Sequence, residues 1–213
     1  MKKIFLRVQL FVLFLLLIFS SLQSQTPVDM VDISDMDSTI VIDLRYATAD
    51  NFLNDTLYSA NICLLRKPVA ERLVQVQKYL REKGLGLKVW DGYRPLFVQK
   101  KMWETLPDSK FVANPKHGSN HNRGAAVDVT LVDLEGKELE MPTGFDDFSE
   151  KAHIKSTNIS DEAKKNREIL QEAMKRFGFN PILSEWWHFN DKDIKKYSVM
   201  DIPLNYFEAK MNK

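Results

Sequence analysis

Few residues of this chain can form disulfides or bind a metal through sulfur. Its 213 residues include one cysteine and four histidines. Cys63 has no partner for an intramolecular disulfide, and its apolar neighbours in NICLLRK favour a buried, unreactive thiol. A site built from several thiolates is excluded, so histidines and carboxylates would have to hold any metal. We expect His117 and His153 to lie at the surface or beside a site, although His117 is close enough to compete as a ligand.

The chain also lacks a strong excess of charge. Its formal net charge is +1, which does not favour a nucleic-acid-binding surface. Hydrophobic residues make up 44% and charged residues 28%, as is usual in soluble globular proteins. The length suits one domain with a substantial core and is short for two. We therefore expect one globular domain and no nucleic-acid partner.

One long apolar run, from Leu10 to Phe19, lies near the start of the sequence. It follows three basic residues and precedes SSLQSQTP, which is the layout of a secretory signal peptide, and it is short for a membrane span. We expect residues 1–24 to be a signal peptide and residues 25–213 to be exported to a periplasm or cell surface, without stable membrane insertion. No cysteine follows the run to carry a lipid anchor, and an uncleaved apolar anchor is the alternative.

The apolar pattern predicts a mixture of strands and helices. Predicted strands or extended segments are TIVIDLRY (39–46), LKVWD (87–91), AAVDVTLV (125–132) and PILSEWWHF (181–189). Predicted helices span 67–84, Pro95 to about Glu104, and the segment between a capping Ser160 and Gly178. Because strands and helices do not strictly alternate, we expect a single α+β domain with a mainly antiparallel sheet flanked by helices.

Two short segments contain the candidate metal ligands. His121 precedes Asp128 by seven residues in SNHNRGAAVD, with Gly124 available for a tight turn between them. His188 closes the segment EWWH. Two imidazoles and a carboxylate suit zinc with an open fourth position for water. Taken singly, His121 could equally be a surface-loop histidine and Asp128 an acid at the end of a strand. The zinc-site hypothesis therefore depends on the three residues together.

Glu185 and Arg94 are the candidate catalytic residues. Neighbouring tryptophans would bury Glu185 and raise its pKa, which suits a general base. Because residues three apart on a regular strand face opposite sides, Glu185 and His188 reach one site only if the chain bulges or turns there. Otherwise only one of them belongs to the site. Arg94, in WDGYRP and beside Asp91, could stabilise an oxyanion, although an arginine alone is more often structural.

Several segments resemble one enzyme family. SNHNRGAAVD resembles the S-x-H-x-x-G-x-A-x-D motif of the zinc D-alanyl-D-alanine dipeptidases, the VanX-type enzymes, and EWWH resembles their E-x-x-H motif. Three further segments resemble the family in the same order: YATADNF (46–52), VWDGYRP (89–95) and FDDFSEKAH (145–153). The resemblance covers most of the chain from Val41 to His188.

The resemblance implies a role for each candidate residue. His121, Asp128 and His188 would bind one zinc ion per chain. Glu185 would be the general base and later the proton donor, and Arg94 would steady the tetrahedral intermediate. The implied fold is a compact α+β domain that is shared with D,D-carboxypeptidases and a hedgehog signalling domain.

The resemblance also implies a substrate, D-alanyl-D-alanine or a related D-Ala-X dipeptide. The family binds the dipeptide's amino group with an acidic residue. Alignment of the Phe-Asp pair at the start of FDDFSEKAH places this residue at Asp146, and the adjacent Asp147 is the alternative. Ser119 and Tyr46 resemble substrate-pocket residues. A buried acid that requires an ammonium rejects longer peptides, because an internal amide would leave its charge unpaired.

Two other functions and one departure from the family stay open. The chain could be a D,D- or L,D-carboxypeptidase acting on wall peptides, or a zinc-containing module that binds peptide or glycan without cleaving it. The presence of both Glu185 and Arg94 favours an enzyme. Glycopeptide-resistance members of the family act in the cytoplasm, whereas an exported enzyme would salvage wall-derived dipeptides. The sequence leaves the dipeptide's second residue and the oligomeric state open.

Overall fold

Five of the seven strands form one sheet in the computed structural model, which describes residues 29–211. The strands are β1 (Met30–Asp32), β2 (Val41–Ile42), β3 (Leu64–Arg66), β4 (Gly86–Asp91), β5 (Ala126–Val132), β6 (Phe179–Pro181) and β7 (His188–Asp191). The sheet has the order β2-β4-β5-β7-β6, and its pairs are antiparallel except β2 with β4. β1 and β3 form a separate antiparallel pair. The predicted α+β class with a mainly antiparallel sheet is confirmed.

Helices flank the sheet. They are α1 (Ile33–Met36), α2 (Lys67–Arg81), α3 (Leu96–Thr105), α4 (Asp161–Arg176) and α5 (Leu204–Met211). The longest two, α2 and α4, contact each other, and they also contact β4 and β5 respectively. No helix within residues 29–211 is both long and apolar enough to cross a membrane. The predicted signal peptide lies outside the described residues.

The two longest helices follow the rules from which they were predicted. An apolar stripe at helical spacing is fully buried along α2, and it consists of Val69, Leu73, Val76 and Leu80. The predicted cap of α4 is present, since the Ser160 hydroxyl accepts the Ala163 N–H at 3.0 Å. α2 ends at Arg81, a few residues before the predicted end.

Two predicted strands are largely wrong. The segment 39–46 contains only β2 before a 3₁₀ helix over Arg45–Ala47. The segment 181–189 is interrupted between β6 and β7. In this gap Trp186 and Trp187 are both buried, with their rings 5.5 Å apart and nearly perpendicular. Burying two consecutive tryptophans in one aromatic cluster outweighs their strand preference.

Candidate metal centre and active site

The sheet register brings ligands from neighbouring strands together. Asp128 lies on β5, the central strand, all of whose residues are buried. It pairs with Asp91 of β4 on one side and with His188 of β7 on the other. Side chains of directly opposite residues share one face of a sheet, so the register alone sets Asp128 beside His188.

A tight turn places His121, the other histidine ligand candidate, beside Asp128 and His188. His121 begins a 3₁₀ helix that ends at Gly124, where φ is +66°. The left-handed conformation favours glycine, and a Cβ at Gly124 would also push aside the Met30 methyl carbon, 2.8 Å away. The turn predicted between the two ligands of this segment is therefore present.

Three potential ligand atoms converge. His121 Nε2 lies 3.1 Å from His188 Nδ1 and 3.3 Å from an Asp128 carboxylate oxygen. His188 Nδ1 is 3.0 Å from the other oxygen of Asp128. Tetrahedral zinc with ligands at about 2.0–2.1 Å requires ligand atoms about 3.3 Å apart. All three residues are buried, and their spacing fits such an ion.

The outer ring nitrogens fix the histidine tautomers. His121 Nδ1 lies 2.8 Å from the Gly92 carbonyl, and His188 Nε2 lies 2.9 Å from the Asn190 amide oxygen. Because these oxygens can only accept, the outer nitrogens carry the protons. The inner nitrogens face the Asp128 carboxylate and are the atoms available to a metal ion. Together the three groups fit one bound ion in a buried place.

Glu185 reaches the same place through the interruption before β7. Its Oε2 lies 3.9 Å from His188 Nδ1, beside the converging ligand atoms. Glu185 and His188 thus meet because the chain turns between them, so both residues of EWWH belong to one site. Burial raises the pKa of the Glu185 carboxyl, and nearby His188 only partly offsets this.

Arg94 is held rigidly at the cavity. Its Nε and Nη2 donate to Asp91 at 3.1 and 2.6 Å, and its Nη1 donates to Gln99 Oε1 at 2.8 Å. The guanidinium also stacks on the Tyr46 ring, with 4.9 Å between Cζ and the ring centroid. A guanidinium has about five N–H donors, so these bonds leave two for a ligand.

Asp146 lines the same cavity. The Tyr46 hydroxyl lies 3.0 and 3.1 Å from its two carboxylate oxygens. Burial, followed by the charge of Asp128, raises the pKa of Asp146 to about 8. Asp147 instead accepts the Ser149 N–H at 2.8 Å and lines an adjacent cavity. Of the two aspartates left open by the sequence, Asp146 lines the cavity that contains the ligand atoms.

These groups line one cavity of about 260 Å³. This volume lies just below the range of about 300–1,000 Å³ that is typical of sites for drug-sized ligands. Ser119 is buried in its wall, with Oγ 3.3 Å from the His121 amide nitrogen. Three aromatic side chains from separate loops form part of its lining: Phe52, Phe111 and Phe148. The cavity brings together all eight residues predicted for the site: Tyr46, Arg94, Ser119, His121, Asp128, Asp146, Glu185 and His188.

The residues outside the cavity behave as ordinary structural groups. His117 and His153 are exposed, and neither joins the converging ligand atoms. Cys63 is buried, and burial raises the pKa of its thiol, so it stays protonated and unreactive.

The sequence reasoning missed several residues that support the site. Asn190 orients His188, and it follows that histidine by two residues, the spacing of one strand face. Gln99 orients Arg94 and lies on the buried face of α3, where a glutamine among apolar residues was the available signal. The Asn122 side chain donates to the Arg94 carbonyl at 2.8 Å, and no local pattern indicates this contact.

Known proteins match nearly the whole chain. The family Peptidase_M15, described as D-ala-D-ala dipeptidase, matches residues 26–209, which include every residue of the site. A D-alanyl-D-alanine dipeptidase of Escherichia coli (strain K12) is 36% identical over 172 residues, covering 81% of this chain and 89% of that protein. One of Enterococcus faecium is 31% identical over 188 residues, covering 76% and 91%. A solved structure, VanYB in complex with D-Alanine-D-Alanine, aligns over 65% of this chain and 77% of that chain, with 18% identity and a TM-score of 0.43.

Proposed function

This chain belongs to the D-Ala-D-Ala dipeptidase family of peptidases, and we propose that it hydrolyses D-alanyl-D-alanine or a related D-Ala-X dipeptide to free amino acids. The observation that carries the proposal is the meeting of three convergent ligand atoms with a carboxylate of raised pKa in one small cavity. A protein that only bound a metal would need the ligands alone.

The proposed cofactor is one zinc ion held by His121, Asp128 and His188. When bound, zinc supplies a Lewis acid that lowers the pKa of a water and polarises the substrate carbonyl. Borderline metals suit a set of two imidazoles and one carboxylate. The hydrogen bonds to Gly92 and Asn190 hold both imidazoles in the tautomers that such a site needs.

Glu185 is the proposed general base. It accepts a proton from the attacking water and then donates that proton to the leaving amine. Burial raises the pKa of this carboxyl in the metal-free chain, which favours its action as a proton acceptor and donor. Its place beside His188 keeps the proton transfer next to the scissile bond.

Arg94 is the proposed partner of the oxyanion that forms as the carbonyl is attacked. Two of its N–H groups have no protein acceptor among the described residues, while the others are fixed by Asp91 and Gln99. A donor that is already oriented costs no reorganisation when the charge develops.

Asp146 is the proposed partner of the substrate ammonium, with Tyr46 holding its carboxylate in position. Burial and Asp146 raise the pKa of the Tyr46 phenol, so it remains a hydrogen-bond donor. Ser119 is a third proposed contact with the dipeptide. Pairing with a free ammonium favours unblocked dipeptides, because only a cation offsets the burial that otherwise raises the pKa of Asp146 and keeps it protonated.

The Glu185→Ala variant separates an enzyme from a metal-binding module. We expect the variant to retain one zinc ion per chain, because Glu185 is not a ligand, and to lose D-alanine release by about two to four orders of magnitude. Metal content and turnover are measured on the same preparation. Unchanged turnover would contradict the role of Glu185, and a wild-type protein that binds zinc without cleaving D-alanyl-D-alanine would contradict the proposed activity.

We also propose that residues 1–24 direct export and that the enzyme salvages wall-derived dipeptides outside the cytoplasm. The basic start and the short apolar run support this proposal. Fractionation of cells that produce the full chain tests it. An uncleaved protein in the cytoplasm would contradict it, whereas a shortened form in the exported fraction is the expected result.

A further inference from the structure

The proposed dipeptide carries a negative charge that the residues discussed so far do not bind. Its ammonium is assigned to Asp146, but its carboxylate must enter a cavity whose wall already contains three acids, Asp128, Asp146 and Glu185. Arg94 is engaged by Asp91 and Gln99, and its remaining donors are assigned to the oxyanion. An unpaired carboxylate in a partly buried site is costly, so the substrate requires another cation.

Lys110 is the remaining lysine or arginine that lines this cavity among residues 29–211. It also lines an adjacent cavity of about 530 Å³, which shares Ser184 and Glu185 with the first. No ion pair engages the Lys110 ammonium in the described part of the chain, whereas Lys101 on the nearby helix α3 is paired with Asp55. Lys110 is exposed, and within residues 29–211 it is the lysine or arginine without an ion pair among the residues that line the two cavities.

The loop that carries Lys110 is tied to the catalytic centre. The buried Gln99 accepts from Arg94 through its oxygen and donates to the Ala113 carbonyl through its nitrogen at 2.8 Å. Within the loop, the Val112 N–H donates to the Asp108 carbonyl, and the Lys110 N–H donates to the Asp108 side chain, both at 2.9 Å. One glutamine thus sets the loop relative to the guanidinium.

We propose that Lys110 binds the C-terminal carboxylate of the dipeptide and makes a free carboxylate a requirement for tight substrate binding. This inference rests on the proposed dipeptidase function. Asp146 and Lys110 then recognise the two charged ends of a zwitterion, while the metal ligands and Glu185 act on the amide between them.

The test compares D-alanyl-D-alanine with D-alanyl-D-alaninamide, which lacks the carboxylate charge. We expect Lys110→Ala to raise KM for the free dipeptide by roughly ten-fold or more, the range of a hydrogen bond to a charged group, with little change in kcat. KM for the amide should hardly change. Lys110→Arg should retain most of the preference for the free dipeptide. Lys116→Ala is the matched control. Lys116 is an exposed lysine on the same loop, and it does not line the cavity.

Each outcome bears on a different claim. If Lys110→Ala changed KM for the two substrates equally, or changed neither, the inference would be overturned while the dipeptidase function stood. A wild-type protein that cleaved neither substrate would overturn the proposed function, and with it the inference. The same loss in Lys116→Ala would mean that general surface charge, and not a contact of Lys110, attracts the substrate.

Discussion

Asp128 and His188 lie directly opposite each other on the antiparallel strands β5 and β7, and their side chains meet with Oδ1 and Nδ1 3.0 Å apart. Sixty residues of chain separate them, so the register of the sheet builds this part of the ligand set. A slip of one residue would turn Asp128 to the other face of the sheet. The metal centre and the central strand pair of the fold therefore depend on each other.

Asn190 should increase the affinity for zinc through its hydrogen bond to His188, without being a ligand itself. Removing its amide in Asn190→Ala leaves the His188 Nε2 proton without its acceptor, which loosens the tautomer and the ring orientation. We expect zinc affinity to fall by about 10- to 100-fold, as is usual for partners of ligating histidines. Titration against a chelator of known affinity measures the change.

Asn180 provides the control for that experiment. It pairs with Asn190 across β6 and β7, and it is exposed. Asn180→Ala should leave zinc affinity unchanged. Equal affinities in Asn190→Ala and the wild type would show that the Asn190 hydrogen bond does not support the ligand.

Gln99 should act as a positioning residue for Arg94. Gln99→Met keeps the volume but deprives an Arg94 N–H and the Ala113 carbonyl of their partners. We expect kcat to fall by roughly ten-fold, because the oxyanion donor loses its fixed orientation, and stability to fall by about 1–3 kcal/mol. Steady-state kinetics and urea unfolding give the two values.

The matched variant for Gln99 is Gln77→Met. Gln77 is equally buried and bridges the Leu87 N–H and the Thr39 carbonyl, away from the cavity. We expect Gln77→Met to lower stability by about as much as Gln99→Met, while the folded variant keeps the kcat of the wild type. If both variants lost the same share of kcat, the effect would be general destabilisation and not the positioning of Arg94.

Asp146 should make the metal-free protein less stable as pH rises. Its pKa is about 8 in the folded chain, against about 3.9 for an unfolded aspartate. Between these values the folded state binds more protons than the unfolded state, so the free energy of unfolding falls with increasing pH. Asp146→Asn removes this dependence, and asparagine tolerates the positive φ of 55° at this position.

Urea unfolding of chelator-treated protein at several pH values measures this effect. At alkaline pH we expect Asp146→Asn to exceed the wild type by on the order of 1–3 kcal/mol, a value reduced for partial solvent screening. Near pH ~4 the two proteins should converge, because both side chains are then largely uncharged. Asp147→Asn is the control and should follow the wild type. A wild type that gained stability with rising pH relative to Asp146→Asn would contradict the raised pKa.

The sequence predicted those parts of the fold that local chemistry decides. The stripe of α2, the cap of α4 and the strand β5 follow from periodicity and propensity, and they lie within a few residues of the predicted bounds. The segment 181–189 failed because burial of Trp186 and Trp187 is a tertiary effect that no local pattern contains. The short pair β1–β3 is likewise formed by residues far apart in sequence.

The candidate site likewise contains residues that the sequence indicates and residues whose role depends on the fold. His121 stands out because the chain has four histidines, and Glu185 stands out because two tryptophans follow it. The structure brings both residues to one cavity. No local pattern indicated Lys110, and the one signal for Gln99 was a polar residue among apolar neighbours. Their importance comes from which atoms the fold sets beside them, namely Arg94 and Ala113 for Gln99 and the cavity wall for Lys110.

The proposed dipeptidase activity is tested most directly by measuring D-alanine release by the purified full chain loaded with one equivalent of zinc. Three substrates are compared: D-alanyl-D-alanine, its N-acetylated form and a wall pentapeptide. We expect fast release from the free dipeptide alone, because pairing of Asp146 with the substrate ammonium favours an unblocked dipeptide. Comparable release from the blocked dipeptide or the pentapeptide would contradict it and indicate a carboxypeptidase.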